Sequence, residues 1–265
     1  MKNILVPVGS NDHALNTLQY AIDFAEAVEA KIYLVHVYSS PKISCSILKV
    51  DQIIERDSKA VLKDLIKNVD RKNVEIITST LKGYSIIDTL KQLNKLLHID
   101  LIIASTKNDG ADENIFLGKI TGNIIKDTKV PVLIIPKKVT FKPIKKILMT
   151  IKSGSIKSVS TLDLLVKIKN TFSSTIHLLQ VKTPKLDAKD LALNDVLKSH
   201  IDKLIPTTNA TVFQGVLEFL HEENPDMLCV IRRKRGFFKK LWENDRIKKV
   251  DFDSSIPLLV LKGMS

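Results

Sequence analysis

Glycine is scarce in this chain, 9 among 265 residues, against a usual frequency of roughly 7%. That argues against any site built on several glycine-rich loops. There are two cysteines, Cys45 and Cys229, too few for a disulfide framework or a four-ligand zinc site. Both read as reduced thiols, Cys229 within the apolar run Met227–Ile231. Aromatics are 5% of the chain, so the core has to be aliphatic. No apolar run approaches the ~18 residues of a membrane span. The opening Met1–Pro7 turns polar too early for a secretory core of about seven or more apolar residues. A soluble, cytoplasmic protein is expected. Acidic residues are outnumbered, 29 against 41 basic, for a net charge of +12. That balance favours solubility and weak contact with anions, and says nothing about fold.

Apolar residues make up 44%, enough for a packed core. Short apolar runs alternate with longer helical patterns. Ile4–Val8 is unbroken and apolar, as in a strand buried on both faces. Ser10, Asn11 and Asp12 offer caps to a helix carrying Ala14, Leu15, Leu18, Ala21, Ile22 and Ala25. Ile32–Val37 is a second strand, Val50–Asn68 a helix, Val74–Ser79 a third strand and Ile86–Leu97 a helix. Leu101–Ala104, a helix over Gly118–Asp127, and a strand over Val130–Ile135 complete the series. The alternation predicts parallel βαβ units with right-handed crossovers.

The pattern then restarts. Lys145–Thr150 resembles Lys2–Pro7, and Ile176–Val181 resembles Ile32–Val37. Asp100 to Pro131 and Asp226 to Pro257 span the same interval. A repeat of this length is a duplicated domain, and not a solenoid unit. The expected units are residues 1–137 and 143–263, the second shorter between its second and third strands. The linker, Lys137–Lys142, reads as short and polar.

In an open parallel sheet, ligands bind beyond the carboxyl ends of the strands at the switch point. In copy one this selects Pro7-Val8-Gly9-Ser10-Asn11, the loop Ala104–Gly110, and Leu117–Gly122 at a helix start. Small residues at a helix N-terminus can present N–H groups to phosphate. In these residues the chain resembles the universal stress protein family. The resemblance rests on Ile4–Val8, Ala14-Leu15, Leu34–Val37, Gly83, Asp100–Ile103, Phe116-Leu117-Gly118 and Val130–Leu133. It covers nearly the whole length, twice. It implies two α/β domains, each a doubly wound five-stranded parallel sheet of order 3-2-1-4-5 flanked by helices. It also implies antiparallel pairing of the fifth strands, Val130–Ile135 and Ile256–Leu261. A tandem chain could close that pairing internally as a pseudo-dimer, and a homodimer could be built upon it.

ATP-binding members of that family carry Gly-x2-Gly-x9-Gly-Ser/Thr after strand four and an Asp after strand one. Laid on copy one, these fall on Ser105, Asn108, Gly118 and Lys119, with Gly9 at the Asp position. Only Gly118 is retained. Ser or Asn adds a Cβ where backbone would approach phosphate. Lys119 could meet a phosphate as a point charge, and Val37 holds the adenine-side backbone position. The candidate binding set is Pro7, Val8, Gly9, Val37, Ser105, Asn108, Gly118, Lys119 and Thr121. No cofactor is expected; ATP or AMP in copy one is the alternative. Copy two has Ile231, Lys234 and Asn244 at the three glycine positions, and Asp245 after them.

Arg232–Lys249 holds nine Lys or Arg interleaved with Phe237, Phe238 and Trp242. Such a mix can bind single-stranded nucleic acid or an anionic surface. The favoured reading is an anchored segment with a solvated basic face. Catalysis finds little support. The histidines lack metal spacing, and Ser10, Ser105 and Thr121 have no evident base. His36, with Gln180 as its repeat partner, reads as a strand histidine near the core. The expectation is a non-catalytic stress-response or signalling protein acting through a protein partner or a small ligand. Nucleotide sensing through copy one is the first alternative. Nucleic-acid or anionic-surface binding through Arg232–Lys249 is the second.

Overall fold

A computed structural model describes residues 1–9, 13–39, 47–83, 85–106, 115–151, 156, 158–184, 192–210, 212–232, 247–248 and 255–263. The first half runs β1 (Asn3–Val8), α1 (Ala14–Ala27), β2 (Lys31–Tyr38), α2 (Ile47–Lys67), β3 (Ile76–Lys82) and α3 (Ile86–Leu97). It continues through β4 (Leu101–Ser105), β5 (Ile115–Leu117), α4 (Lys119–Asp127) and β6 (Val132–Ile135). The second half runs β7 (Lys146–Ile151), a 3-10 turn (Val159–Thr161), α5 (Asp163–Phe172), β8 (Thr175–Lys182) and α6 (Asp195–Lys198). It ends with β9 (Lys203–Thr208), α7 (Val212–Glu223), β10 (Met227–Arg232), β11 (Ile247–Lys248) and β12 (Leu258–Lys262).

The strands form one ten-stranded sheet in the order β3-β2-β1-β4-β6-β12-β10-β7-β8-β9. Each half is parallel and has the expected order 3-2-1-4-5. The halves meet where β6 and β12 pair antiparallel, Leu133 opposite Leu259 and Val132 opposite Val260. This pairing removes two of the four edges that separate sheets would expose. Of the two that remain, β9 carries Pro206, which has no N–H to offer another strand.

Both faces of the sheet carry a core that crosses this seam. Ile4, Val6, Leu34 and Ile103 share one cluster with Ile147, Leu178, Cys229 and Leu259. Leu5, Val35, Ile102 and Ile134 share the other with Leu148, Leu179, Val230 and Val260. The alternation of side chains along each strand separates the two sets. Burial pushes the Cys229 thiol pKa well up, so it stays protonated.

Asp100 and Asp226, which recur at the same place in the repeat, have the same task. The Asp100 carboxylate accepts the N–H groups of Lys2 and Asn3 at 2.6 and 3.0 Å. Asp226 accepts those of Lys145 and Lys146 at 2.8 and 2.9 Å. Each aspartate thus ties the entry of strand four to the entry of strand one.

Several boundaries and contacts differ from expectation. The third strand starts at Ile76, because Val74 N–H closes a turn on Arg71 O. It continues to Lys82 because β2 offers partners as far as Tyr38. The fifth strand begins at Val132, and α4 at Lys119 with Gly118 as its cap. Among the described residues, the counterpart of the long α2 is the four-residue α6, in line with the shorter second copy. The small antiparallel pair of β5 with β11 was not legible, because two short runs far apart carry no periodicity.

The linker is not simply polar. Phe141 packs edge-on against Tyr20 at 5.4 Å and Phe24 at 6.3 Å, and against Phe172 of the second half at 5.9 Å. Asn16 also donates to Val139 O at 3.2 Å. The caps expected from Ser10, Asn11 and Asp12 lie outside the described residues; His13 occupies the cap position, and its side chain does not cap the first turn of α1.

Candidate functional site

The carboxyl ends of β1 and β4 diverge because their connections cross to opposite faces of the sheet, leaving space between them. In the first half this space is a crevice of about 290 Å³. Its floor and walls are Pro7, Val8 and Gly9 after β1, Val35 and Val37 of β2, and Ala104 and Ser105 of β4. Ala14 and Thr17 of α1, Ile86 of α3, and Ile120, Thr121 and Ile124 of α4 close it. The lining is mostly aliphatic, with hydroxyls from Thr17, Ser105 and Thr121.

Local bonds position the helix that faces this space. Gly118 N–H donates to Thr106 O at 2.8 Å, and Gly118 O accepts from Gly122 N–H at 2.9 Å. The Thr121 hydroxyl donates to Ser105 O at 2.8 Å, tying α4 to the end of β4. Gly118 supplies no side-chain cap to the first turn of α4. N–H groups in a first turn have no partner within their own helix. The macrodipole there favours an electron-rich ligand edge.

On the other side, α3 is set by Ser85, whose Oγ accepts Asp88 N–H at 3.3 Å. Gly83 N–H donates to Tyr38 O at 2.9 Å. A Cβ at Gly83 would lie 2.3 Å from Thr89 Oγ1. That oxygen is itself held by Ser85 O at 2.9 Å. Glycine is therefore required there by close approach.

Six of the residues expected from the sequence line the crevice: Pro7, Val8, Gly9, Val37, Ser105 and Thr121. Gly118 stands just behind it as the α4 cap, and Lys119 begins that helix with an exposed side chain. Asn108 and Ser10 lie outside the described residues. Reading by motif position missed Ala14, Thr17, Val35, Ile86, Ile120 and Ile124. The i, i+4 pair Ile120 and Ile124 was the available signal, since it turns one face of α4 toward the sheet.

His36 lies opposite Val8 in the β1–β2 register. Its Nδ1 is buried without a hydrogen-bond partner, and desolvation lowers its pKa. Its counterpart Gln180 is buried in β8.

Copy two differs at the equivalent loop. Ile231, at the first glycine position, is a buried strand residue. Arg232 follows it, and its guanidinium donates to the carbonyls of Ile125 and Lys126 at the end of α4. Burial lowers the Arg232 pKa, and Asp127 opposes that shift. Arg232 therefore braces the two halves and is withdrawn from the basic run. Lys234, Asn244, Asp245, Phe237, Phe238 and Trp242 lie outside the described residues. Among the described residues, no helix is long and apolar enough to cross a membrane.

Known proteins share this architecture. A universal stress protein from Archaeoglobus fulgidus superposes with a TM-score of 0.72 at 17% identity, covering 98% of this chain and 96% of that one. A functionally unknown protein from Pseudomonas aeruginosa gives 0.63 at 15% identity, covering 99% and 92%. These likenesses establish the fold. A universal stress protein of Methanocaldococcus jannaschii is 26% identical over 141 residues, 51% of this chain and 82% of that protein. The model of the universal stress protein family matches residues 1–136, the segment that holds the crevice. The chain belongs to the universal stress protein family.

Proposed function

We propose that this chain is a non-catalytic, cytoplasmic stress-response protein that acts by binding, with a nucleoside-sized ligand held in the crevice of its first unit. The units are residues 1–137 and 143–263, joined as a pseudo-dimer within one chain. A homodimer would use another surface, because the fifth strands already pair with each other.

The observation that carries this reading is the open crevice at the switch point of the first half. Its volume of about 290 Å³ lies at the low edge of the ~300–1,000 Å³ usual for small-molecule sites. Aliphatic walls from Val35, Val37, Ile86 and Ile120 suit a flat heteroaromatic ring, and the first turn of α4 suits its polar substituent. A triphosphate is poorly served. Ser105 stands at the first glycine position and Asn108 at the second, and Gly118 N–H is bonded to Thr106 O. AMP or adenosine thus fits better than ATP. A protein partner would read the occupied or empty state.

Titration calorimetry with adenosine, AMP and magnesium–ATP tests this. AMP is expected to bind at least as tightly as ATP, because the added phosphates find no cradle. A tenfold preference for ATP, or no heat with any of the three at millimolar concentration, contradicts the reading. Substitution of Val37 by Glu should abolish binding, since it introduces a desolvated charge into the aliphatic wall.

A further inference from the structure

We propose that a second crevice in the first half binds a small aliphatic carboxylate. This crevice lies at the opposite end of the strands from the β1 and β4 loops. It is enclosed by the last turns of α3, the α3–β4 connection and the α4–β6 connection, and its volume is about 370 Å³. That size is within the range of small-molecule sites.

Its floor is fully apolar. Leu5, Leu90 and Ile102 are at most 2% exposed, and Ile99 and Val130 are 7% exposed. Its rim carries three lysines, Lys91, Lys95 and Lys129, against one carboxylate, Asp127. The rim keeps a net positive charge, because the lysines outnumber the carboxylate. Lys91 lies 3.5 Å from Asp88. Asp127 acts on the Arg232 guanidinium, and the α4 carbonyls of Ile125 and Lys126 accept from that same guanidinium. Asn94 Oδ1 accepts Ile99 N–H at 3.0 Å. Among the described residues, neither Lys95 nor Lys129 has a carboxylate partner.

The repeat separates this charge from the needs of the fold. The offset that carries Asp100 onto Asp226 carries Leu90, Ile102 and Val130 onto the apolar Val216, Leu228 and Ile256. The same offset carries Lys91, Lys95 and Lys129 onto Leu217, His221 and Ser255. The second half folds into the same strand order without those three cations. An apolar cavity with a net positive rim selects a ligand with an apolar tail and a single anionic head. The tail displaces poorly held water, and the head gains charge-assisted bonds from lysine ammonium groups. A neutral alcohol loses the second term, and an alkylamine meets repulsion.

The full chain, titrated with hexanoate, octanoate and decanoate and followed by calorimetry and methyl NMR, tests the proposal. Affinity should rise about fourfold per added methylene until the tail fills the cavity. Methyl shifts should fall on Leu5, Leu90, Ile99, Ile102 and Val130, with Val35, Val37 and Ile120 unmoved. Decanol and decylamine should bind at least tenfold more weakly. The pair Lys95→Ala and Lys129→Ala should weaken decanoate about tenfold at an unchanged melting temperature. Shifts confined to the β1–β4 crevice, equal binding of decanol, or full affinity in the double variant overturns the proposal. So does retention on anionic vesicles without any response to free decanoate.

Discussion

At the scale of the residue, Asp226 shows how one side chain can join distant strands. Burial alone would raise its pKa. The Lys142 ammonium at 2.7 Å and the N–H groups of Lys146 and Lys145 outweigh that and hold it below its usual value. The folded state therefore binds a proton less readily than the unfolded one. This stabilisation is complete above the ordinary carboxylate pKa of about 3.9 and is lost as pH falls through the lower folded value. Asp226→Ala should cost about 2–3 kcal/mol in urea unfolding at pH 7, since it strands the N–H groups of Lys145 and Lys146 at the entry of β7. Asp226→Asn should cost less, because its Oδ1 still accepts. A loss below about 0.5 kcal/mol for the alanine variant would remove the tie from the account.

His36 carries the opposite lesson. Its folded pKa is depressed by desolvation, so the unfolded chain takes up a proton that the folded chain resists. Stability is full above about 6.5 and declines as pH drops below that value toward the folded pKa. His36→Gln, the residue type found at Gln180, should flatten the stability profile between pH 5 and about 7. Unchanged slopes in urea titrations across that window would contradict this. That a polar residue stands at this position in both copies was readable from the repeat. Its missing partner was not, because hydrogen bonding depends on neighbours from other elements.

At the scale of the element, most helices and strands were legible because their apolar spacing is regular. The α3 helix matches at both ends, since Ser85 caps its start and Leu97 ends its apolar face. What escaped reading was set by contacts between distant segments. Phe141 sits in a mostly polar stretch, and its meeting with Tyr20, Phe24 and Phe172 explains its partial burial. In the crevice, loop residues matched by motif position were found. Walls such as Ile86 and Ile124 needed the packing of α3 and α4 on the sheet. Gly83 tests that packing. Gly83→Ala should destabilise by about 1–3 kcal/mol through overlap with Thr89. In a Thr89→Ala background the same change should cost about 1 kcal/mol less. Additive costs would show that the contact is not the cause.

At the scale of the molecule, β6 and β12 turn two sheets into one, and Phe141 and Arg232 reinforce the seam. The halves should therefore stay together when the covalent link is cut. A protease site inserted after Lys138, which is exposed, provides the test. After cleavage, gel filtration at micromolar concentration should show both fragments in one peak. Separate peaks would mean that the linker, and not the pairing of Leu133 with Leu259, holds the halves together. The scarcity of glycine also acquires a location at this scale. The family motif retains Gly118, while Ser105 and Asn108 replace its partners in copy one and Ile231 opens the altered loop in copy two. The consequence we propose is one nucleoside site per chain. Native mass spectrometry with AMP measures this most directly. The account predicts one AMP for each 29.7 kDa chain; two AMP molecules per chain, or none at millimolar nucleotide, would contradict it.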